Sequence, residues 1–387
     1  MPTPPPAVPA DRPLRILVDV TTWVPGRTGV GLYTERVLRA WLGLGTGDQL
    51  IAASNVGHDE LQGLHVTRVG PRFPVRALWM QTLLPVQALR LKPDFAFYPN
   101  YLGPLLPPCP YVLTVHDLAV FLYPETFTFK KRVLQRAALP TLVRNAAAIL
   151  TPSESTRRDV LRLLPADPRR VVATPLAAAD PVGPPPSLAD VARIRGELHL
   201  PPRYLLAVGT LEPRKNLPRL IQAFEQIAGR FPDLHLVVAG GRGWRDDAIR
   251  AALGETPVRD RVHSVGYVDA TSLRVLYAEA LALCYPSLYE GFGLPVVEAM
   301  ALGTPVLTSR GSSLDEVAAG AAVAVDPLSV EAIADGIEKL AGDAELRDDL
   351  RRRGLVRASE LSWHRTALET RAVFARLAAG RLPRDEA

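Results

Sequence analysis

The sequence predicts an α/β protein made of two Rossmann-like domains of nearly equal size. Its 387 residues exceed one ordinary domain and suit two, and 48% apolar residues are enough to fill two cores. Short apolar runs that end in glycine-bearing loops alternate with helical segments along the chain. The alternation breaks at Asp180-Pro-Val-Gly-Pro-Pro-Pro186, where four prolines in seven residues exclude a helix or strand interior, and it restarts after Leu200. The expected organisation is a proline-rich lead over residues 1–13, a first domain over 14–180, a linker over 181–200, a second domain over 201–362 and a terminal helix over 363–387.

Composition narrows the function. Cys109 and Cys284 lie far apart and neither has a metal-ligand neighbour, so a reducing compartment without a disulfide framework is expected. The lead lacks the basic and apolar regions of a signal peptide, and no apolar run nears the ~18 residues that cross a bilayer, which points to the cytoplasm. The net charge of +5 is uneven: the first 185 residues hold 20 Lys+Arg against 13 Asp+Glu, the remainder 25 against 27. A basic first half suits anionic lipid at the inner face of a membrane or an anionic acceptor. Aromatics are not interleaved with these charges as on single-stranded nucleic-acid platforms, so no nucleic-acid partner is expected.

In chain order, Arg15-Ile-Leu-Val-Asp-Val20 reads as a buried strand, followed by Thr28-Gly29-Val30-Gly31-Leu-Tyr-Thr34 and a helix to about Leu42. Strand, glycine turn and helix open a dinucleotide-type domain. Read as G-x-G-x-x-G, however, the motif has Thr34 in its third place and no acid at the end of a second strand, so it is a poor NAD fingerprint. A plain tight turn stays open. Residues 72–90 mix Trp79, Met80 and leucines with arginines and read as a half-buried helix rather than a membrane-surface one, because Pro85 would kink a long amphipathic face. Residues 93–98 and 111–115 read as two more buried strands. The second ends at His116-Asp117, on the carboxyl edge where parallel sheets place ligands, which makes His116 a site candidate and Asp117 a cap. Residues 127–145 form a basic helix with Lys130, Lys131, Arg132, Arg136 and Arg144, open to an anionic acceptor, a membrane or plain solvent. Residues 149–153 and 171–175 complete the first sheet, with Ser153 to Ser155 capping the helix between them.

The second domain opens with the strand Tyr204-Leu-Leu-Ala-Val208 and the loop Gly209-Thr210-Leu-Glu-Pro-Arg214-Lys215. Asn216 then caps a helix whose Leu217, Leu220, Ile221, Phe224 and Ile227 keep helical spacing. Two cations at a helix start behind a glycine form a diphosphate clamp; a solvated helix start is the plainer reading. Residues 234–241 give the next strand and turn, and residues 262–268 carry Gly266 and Tyr267. The segment from Tyr285 to Arg310 then supplies a strand end, a polar turn, the loop Gly291-Phe292-Gly293-Leu294, and a helix that Pro295 starts and Gly303 stops. The glycines let backbone amides approach a ligand, and the helix points its positive end at the same spot, so an anion, most simply a phosphate, belongs there. Glu290 and Glu298 bracket this loop and can accept hydrogen bonds from hydroxyls. A phosphate cradle with two hydroxyl acceptors suits a nucleotide sugar. Strands near residues 305–308 and 321–325 and helices through residue 377 finish the chain.

The stretch EGFGLPVVE, from Glu290 to Glu298, resembles the Glu-x7-Glu element of retaining GT-B glycosyltransferases of the family-4 type. GTLEPRKN, from Gly209 to Asn216, and VHDL around His116 resemble the same family. The resemblance implies two Rossmann-like domains facing each other across a cleft, with the last helix crossing back to the first domain. It implies that Glu290 contacts the donor sugar, that Glu298 holds the ribose hydroxyls, and that the amides of Gly291, Phe292, Gly293 and Leu294 hold the diphosphate. Arg214 and Lys215 would neutralise that diphosphate beside Gly209 and Thr210. Many members have Gly-Arg where this chain has Gly209-Thr210, which leaves less charge there. Gly29, Val30 and Gly31 would face the phosphate site, His116 would sit near the reacting carbon, and Gly266 and Tyr267 would pack the base.

The sequence holds no Asp-x-Asp metal motif and no evident nucleophile, so neither metal nor cofactor is expected. The implied reaction is front-face transfer of a hexose, with retention, from a nucleoside diphosphate sugar to a glycan or lipid-linked acceptor in polysaccharide biosynthesis. Mannose from GDP-mannose fits the motifs best, with a UDP-sugar donor as the alternative. An NAD-dependent oxidoreductase and a non-catalytic sugar-nucleotide binder are the competing classes.

Overall fold

In the computed structural model the described residues are 12–23, 29–55, 65–66, 73, 75–178, 186–243 and 245–384. The proline-rich lead to residue 11, Thr28 at the head of the first glycine motif, Arg72 and linker residues 180–185 lie outside them. The chain divides into two compact units, one of Met1–Phe121, Phe129–Leu176 and Ser362–Ala387, the other of Leu122–Thr128 and Ala177–Leu361.

The first unit is a seven-stranded sheet in the order β3-β2-β1-β4-β5-β6-β7. Its strands are β1 Arg15–Asp19, β2 Gln49–Ala53, β3 His65–Val66, β4 Phe95–Tyr98, β5 Tyr111–Thr114, β6 Ala148–Thr151 and β7 Val171–Ala173, and every pairing is parallel. All residues of β4, β5 and β6 are buried, as strands covered on both faces must be. The helix Val30–Leu42 starts directly after Gly29, which takes φ 47° at the N-cap. Gly31 is thus a buried helical residue and no part of a loop, which corrects the glycine-turn reading; only Gly29 needs the left-handed backbone.

One face of this sheet is packed by Trp79, Met80 and Leu84 of the helix Arg76–Leu91 and by Leu139, Leu142 and Val143 of the helix Phe129–Asn145. Both helices contain a proline, Pro85 and Pro140. The Ser153 hydroxyl accepts the Thr156 amide at 3.0 Å and caps Glu154–Leu163. The terminal helix Trp363–Ala378 belongs to this unit: the Phe374 ring stands 5.2 Å from Trp41 and 5.7 Å from Phe95 and Phe97, and Arg371 pairs with buried Asp48 at 2.8 Å.

The second unit is a six-stranded parallel sheet, β10-β9-β8-β11-β12-β13, made of β8 Tyr204–Val208, β9 His235–Ala239, β10 Val262–Gly266, β11 Ala282–Tyr285, β12 Val306–Ser309 and β13 Val323–Val325. Within the stretch read as linker over 181–200, the helix Leu188–Glu197, capped by Ser187 and anchored by fully buried Ile194, is part of this unit's folded body. The helix Leu217–Ala228 buries Leu217, Leu220, Ile221, Phe224 and Ile227. At roughly 1.5–3 kcal/mol for each such side chain, that burial fixes the helix and the turn that enters it.

In both sheets the strand order reverses beside the first strand, between β1 and β4 and between β8 and β11. Ligands of open parallel sheets bind at the carboxyl ends of such strand pairs. At the second of these points Gly240 lies against the loop after β8, and a Cβ there would stand 1.9 Å from the Gly209 carbonyl oxygen. Backbone cannot yield as a side chain tip can. Gly240→Ala is therefore expected to destabilise the protein by roughly 3 kcal/mol, the upper end of overpacking effects, read as a lower urea midpoint. Among the described residues no helix is long and apolar enough to cross a membrane.

Candidate active site

The site of the second unit is assembled from the loops that leave β8 and β11. Gly209 follows β8 with φ 138°, a conformation only glycine adopts readily, and donates its amide to Ala239 O at 3.0 Å. Leu211 donates to Gly241 O at 3.0 Å, which pins this loop to the one after β9. A single 3-10 turn, Pro213–Lys215, then delivers both cations. Asn216 stands at the N-cap position of the next helix but in the left-handed region, φ 62°, and makes no side-chain cap. Its side-chain Nδ2 instead donates to Pro286 O at 3.0 Å and Pro327 O at 2.6 Å, so the residue read as a cap is a staple between loops.

The loop after β11 is buried, and its carbonyls need donors. Ser309 supplies one to Ser287 O at 2.6 Å, and Ser313 one to Glu290 O at 2.6 Å. The segment Leu122–Thr128 adds Tyr123, whose hydroxyl donates to Leu288 O at 3.2 Å and whose ring lies 5.9 Å from that of Tyr289.

These two loops bring Arg214, Lys215 and Glu290 together. Arg214 reaches Glu290 Oε2 at 2.5 Å and Tyr289 O at 2.7 Å through Nη1, and pairs with Glu212 through Nη2. Lys215 Nζ donates to Glu290 Oε1 at 2.7 Å and to the Tyr285 hydroxyl at 2.6 Å. The Tyr285 hydroxyl donates in turn to Glu290 Oε1 at 2.9 Å. The expected open pair of cations is thus corrected: two acids already meet them, and the four side chains sum to zero charge. A diphosphate must find further stabilisation in backbone amides and the helix start, or displace a carboxylate.

Burial alone would push the Glu290 carboxyl up, but Arg214 and Lys215 overcome it and hold the group down to about 2. Burial likewise pushes the Lys215 ammonium below its ordinary range, against the attraction of Glu290. Carboxylate oxygens have about two acceptor positions each. Oε1 of Glu290 uses both, on Lys215 and Tyr285, and Oε2 uses one, on Arg214. Glu290 therefore keeps room for one more hydrogen, on Oε2.

Gly293 ends the next loop at φ 103° as the N-cap of Leu294–Ala301, and a Cβ there would meet Leu314 at 2.3 Å. Gly291 and Phe292 are buried beside it. Glu298, in the second turn of that helix, accepts the Tyr277 hydroxyl on Oε2 at 2.9 Å. Gly266 has φ 71° and accepts the Gly240 amide at 2.8 Å, while Tyr267 is 67% exposed and Thr210 is exposed.

Gly29, Val30, Gly31 and His116 belong to the first unit. His116 Nε2 stands 2.8 Å from Pro99 O, and Tyr33 of the first helix packs edge-on at 4.8 Å. A carbonyl can only accept, so Nε2 carries the proton and Nδ1 of the neutral ring is an acceptor. Burial lowers the affinity of this ring for a second proton. In an NMR titration the His116 ring is expected to be more than half neutral at pH 6.5, the ordinary midpoint, and to reach half charge only further into acid. Asp117 accepts the Ala119 amide at 3.0 Å and caps its turn. Where the strand order of this sheet reverses, Asp19 is fully buried and held by Thr21, Arg76 Nη2 and Asn100 Nδ2, the last two at 3.1 Å.

Sequence reasoning missed Glu212, Tyr277, Tyr285 and Tyr123. Glu212 stood in the loop already singled out, two places before Arg214, and an acid there was a legible sign of neutralisation. Tyr285 read only as the end of a strand, and Tyr123 and Tyr277 fell in no motif.

The family model of glycosyl transferases group 1 matches residues 191–356, and that of glycosyltransferase family 4 matches residues 27–177. The chain is 35% identical over 266 residues to the O-antigen chain mannosyltransferase B of Escherichia coli, covering 67% of this chain and 68% of that protein. It is 29% identical to the D-inositol 3-phosphate glycosyltransferase of Corynebacterium glutamicum, over 68% of this chain and 66% of the other. It is 27% identical to the O-antigen chain mannosyltransferase RfbU of Salmonella typhimurium, with 56% of each covered. In fold it is similar to sucrose-phosphate synthase from Thermosynechococcus elongatus, with TM-score 0.73, 20% identity and coverage of 95% and 100%. The same holds for WaaG, a glycosyltransferase involved in lipopolysaccharide biosynthesis, with TM-score 0.72, 16% identity and coverage of 94% and 100%.

Proposed function

The chain belongs to the glycosyl transferases group 1 and is a hexosyltransferase of GT-B fold, and on that premise we propose that it transfers mannose from GDP-mannose. The acceptor is a hydroxyl of a glycan, free or lipid-linked, and the anomeric configuration is retained without a metal. The observation that carries this reading is the cluster of Arg214, Lys215, Glu290 and Glu212 at the carboxyl ends of β8 and β11, next to a helix start whose amides can meet phosphate. The mannosyltransferase names of the relatives support the choice of sugar.

In the proposed step the acceptor oxygen bonds to the anomeric carbon on the face the diphosphate leaves, the bond from that carbon to the diphosphate oxygen breaks, and the acceptor proton passes to the departing phosphate. Arg214, Lys215 and the amides of Gly291 to Leu294 stabilise the charge that develops there. Glu290 takes one sugar hydroxyl on its remaining Oε2 position, and Glu298 takes the ribose. Gly209 and Thr210 line the phosphates, Gly266 and the exposed Tyr267 pack the base, and His116 and the helix start at Gly29, Val30 and Gly31 are assigned to the donor from the family resemblance. The helix Phe129–Asn145 exposes Phe129, Val133 and Leu134 beside Arg136, a face suited to anionic lipid.

The test is a thermal-shift panel of GDP, UDP, GDP-mannose, UDP-glucose and NADH, followed by transfer assays with and without a chelator. A ligand held only by the native state at a hundred times its Kd adds about 2.7 kcal/mol to stability. GDP-mannose is expected to give the largest shift and an α-linked product by NMR, undiminished by chelator. A shift with NADH alone, or donor binding with neither transfer nor hydrolysis, overturns the reading. Cosedimentation with vesicles containing phosphatidylglycerol, weakened by salt, tests the lipid face.

A further inference from the structure

We infer that Tyr285 is a positioning residue, aiming Lys215 at the donor diphosphate and limiting Glu290 to a single substrate hydrogen bond. This rests on the placement of the diphosphate beside Arg214 and Lys215 proposed above. Tyr285 is the last residue of β11, 3% exposed, at the edge where the strand order reverses. Its hydroxyl closes a triangle: 2.6 Å to Lys215 Nζ, 2.9 Å to Glu290 Oε1, with 2.7 Å between those two.

An ammonium has three donors. Two are taken, by Glu290 and Tyr285, and these fix the direction of the third, which is left for phosphate. The phenol oxygen accepts from Lys215 while its proton goes to Glu290, so one group sets both partners. Without that hydroxyl Lys215 keeps its charge and its ion pair but loses its aim, and a misplacement on the order of 1 Å is enough to reduce turnover by about a hundredfold.

The experiment is a double-mutant cycle of Tyr285→Phe and Lys215→Met on the full chain, reading kcat and KM with GDP-mannose and the Kd values of GDP and UDP. Phenylalanine keeps the buried ring, and a melting curve reports the folded fraction. Tyr285→Phe is expected to lower kcat roughly thirtyfold with KM changed less than about threefold. In the Lys215→Met background it is expected to add less than about a threefold loss, because coupled residues do not act additively. A kcat within twofold of the parent overturns the proposal. So does an equal loss in both backgrounds, or a loss that only follows the folded fraction. If the parent transfers no sugar, the functional reading fails, while coupling of the two substitutions in GDP or UDP affinity still decides the role of Tyr285. Failure of both nucleotides to bind overturns it.

Discussion

Glu290→Gln is expected to lower transfer at least a hundredfold, in the range of removing one preorganised electrostatic group, and to destabilise the fold by about 3 kcal/mol at neutral pH. The carboxylate is the partner of two partly buried cations, and glutamine leaves both without its charge. Its ordinary value of 4.5 is lowered to about 2 in the fold, which by linkage corresponds to about 3 kcal/mol. The sign follows from the direction. A group whose folded value is depressed contributes fully above its unfolded value and loses that contribution as pH falls through the folded one. Urea denaturation of parent and variant should therefore differ most above about pH 5, by about half as much near pH 3, and hardly at all below about pH 2. A difference that persists unchanged at pH 3 would show that the ion pair is not its source.

Arg214→Ala is expected to have an effect of similar size by the opposite route. Arg214 is shared between Glu212, Glu290 and the Tyr289 carbonyl. Its removal leaves two buried acids facing one lysine, a net negative pocket where the donor must bring more negative charge. Loss of one partner of a buried pair destabilises by about 3–5 kcal/mol, and loss of a donor to developing charge lowers kcat/KM by about 10²–10³. Arg214→Lys restores charge without the planar fork that spans both acids, so activity should stay at least about tenfold below the parent while part of the stability returns. Steady-state kinetics and urea midpoints for the two variants, measured together, check this. Full activity in the lysine variant would mean that point charge suffices.

The internally neutral cluster changes the electrostatic account that composition gives. Two cations beside a glycine loop look like ready counter-charge for a diphosphate. Glu212 and Glu290 already neutralise them, so under the proposed function part of that counter-charge falls to the helix start at Leu294.

The chain by itself determined most of its strands, and the helices with a clear apolar period, with their approximate ends. Apolar runs such as Tyr204-Leu-Leu-Ala-Val208, helical spacing from Leu217 to Ile227, and glycines such as Gly293 that need a left-handed backbone report burial and local geometry, which are properties of near neighbours in sequence. It also marked the loops that carry Arg214, Lys215 and Glu290. It did not separate β2, with its two alanines, or the two-residue β3 from loop, and it gave the helix Leu188–Glu197 to a linker because the prolines before it dominated the pattern. Tertiary structure alone decided what each site residue touches. Arg214 and Glu290 are 76 positions apart, Lys215 and Tyr285 are 70, and they meet only because β8 and β11 are neighbours in the sheet. Strand order is set by packing summed over the whole unit, so no local stretch of sequence encodes it, and the partners it creates, Tyr277 and Tyr285 among them, become legible only once the sheet is assembled.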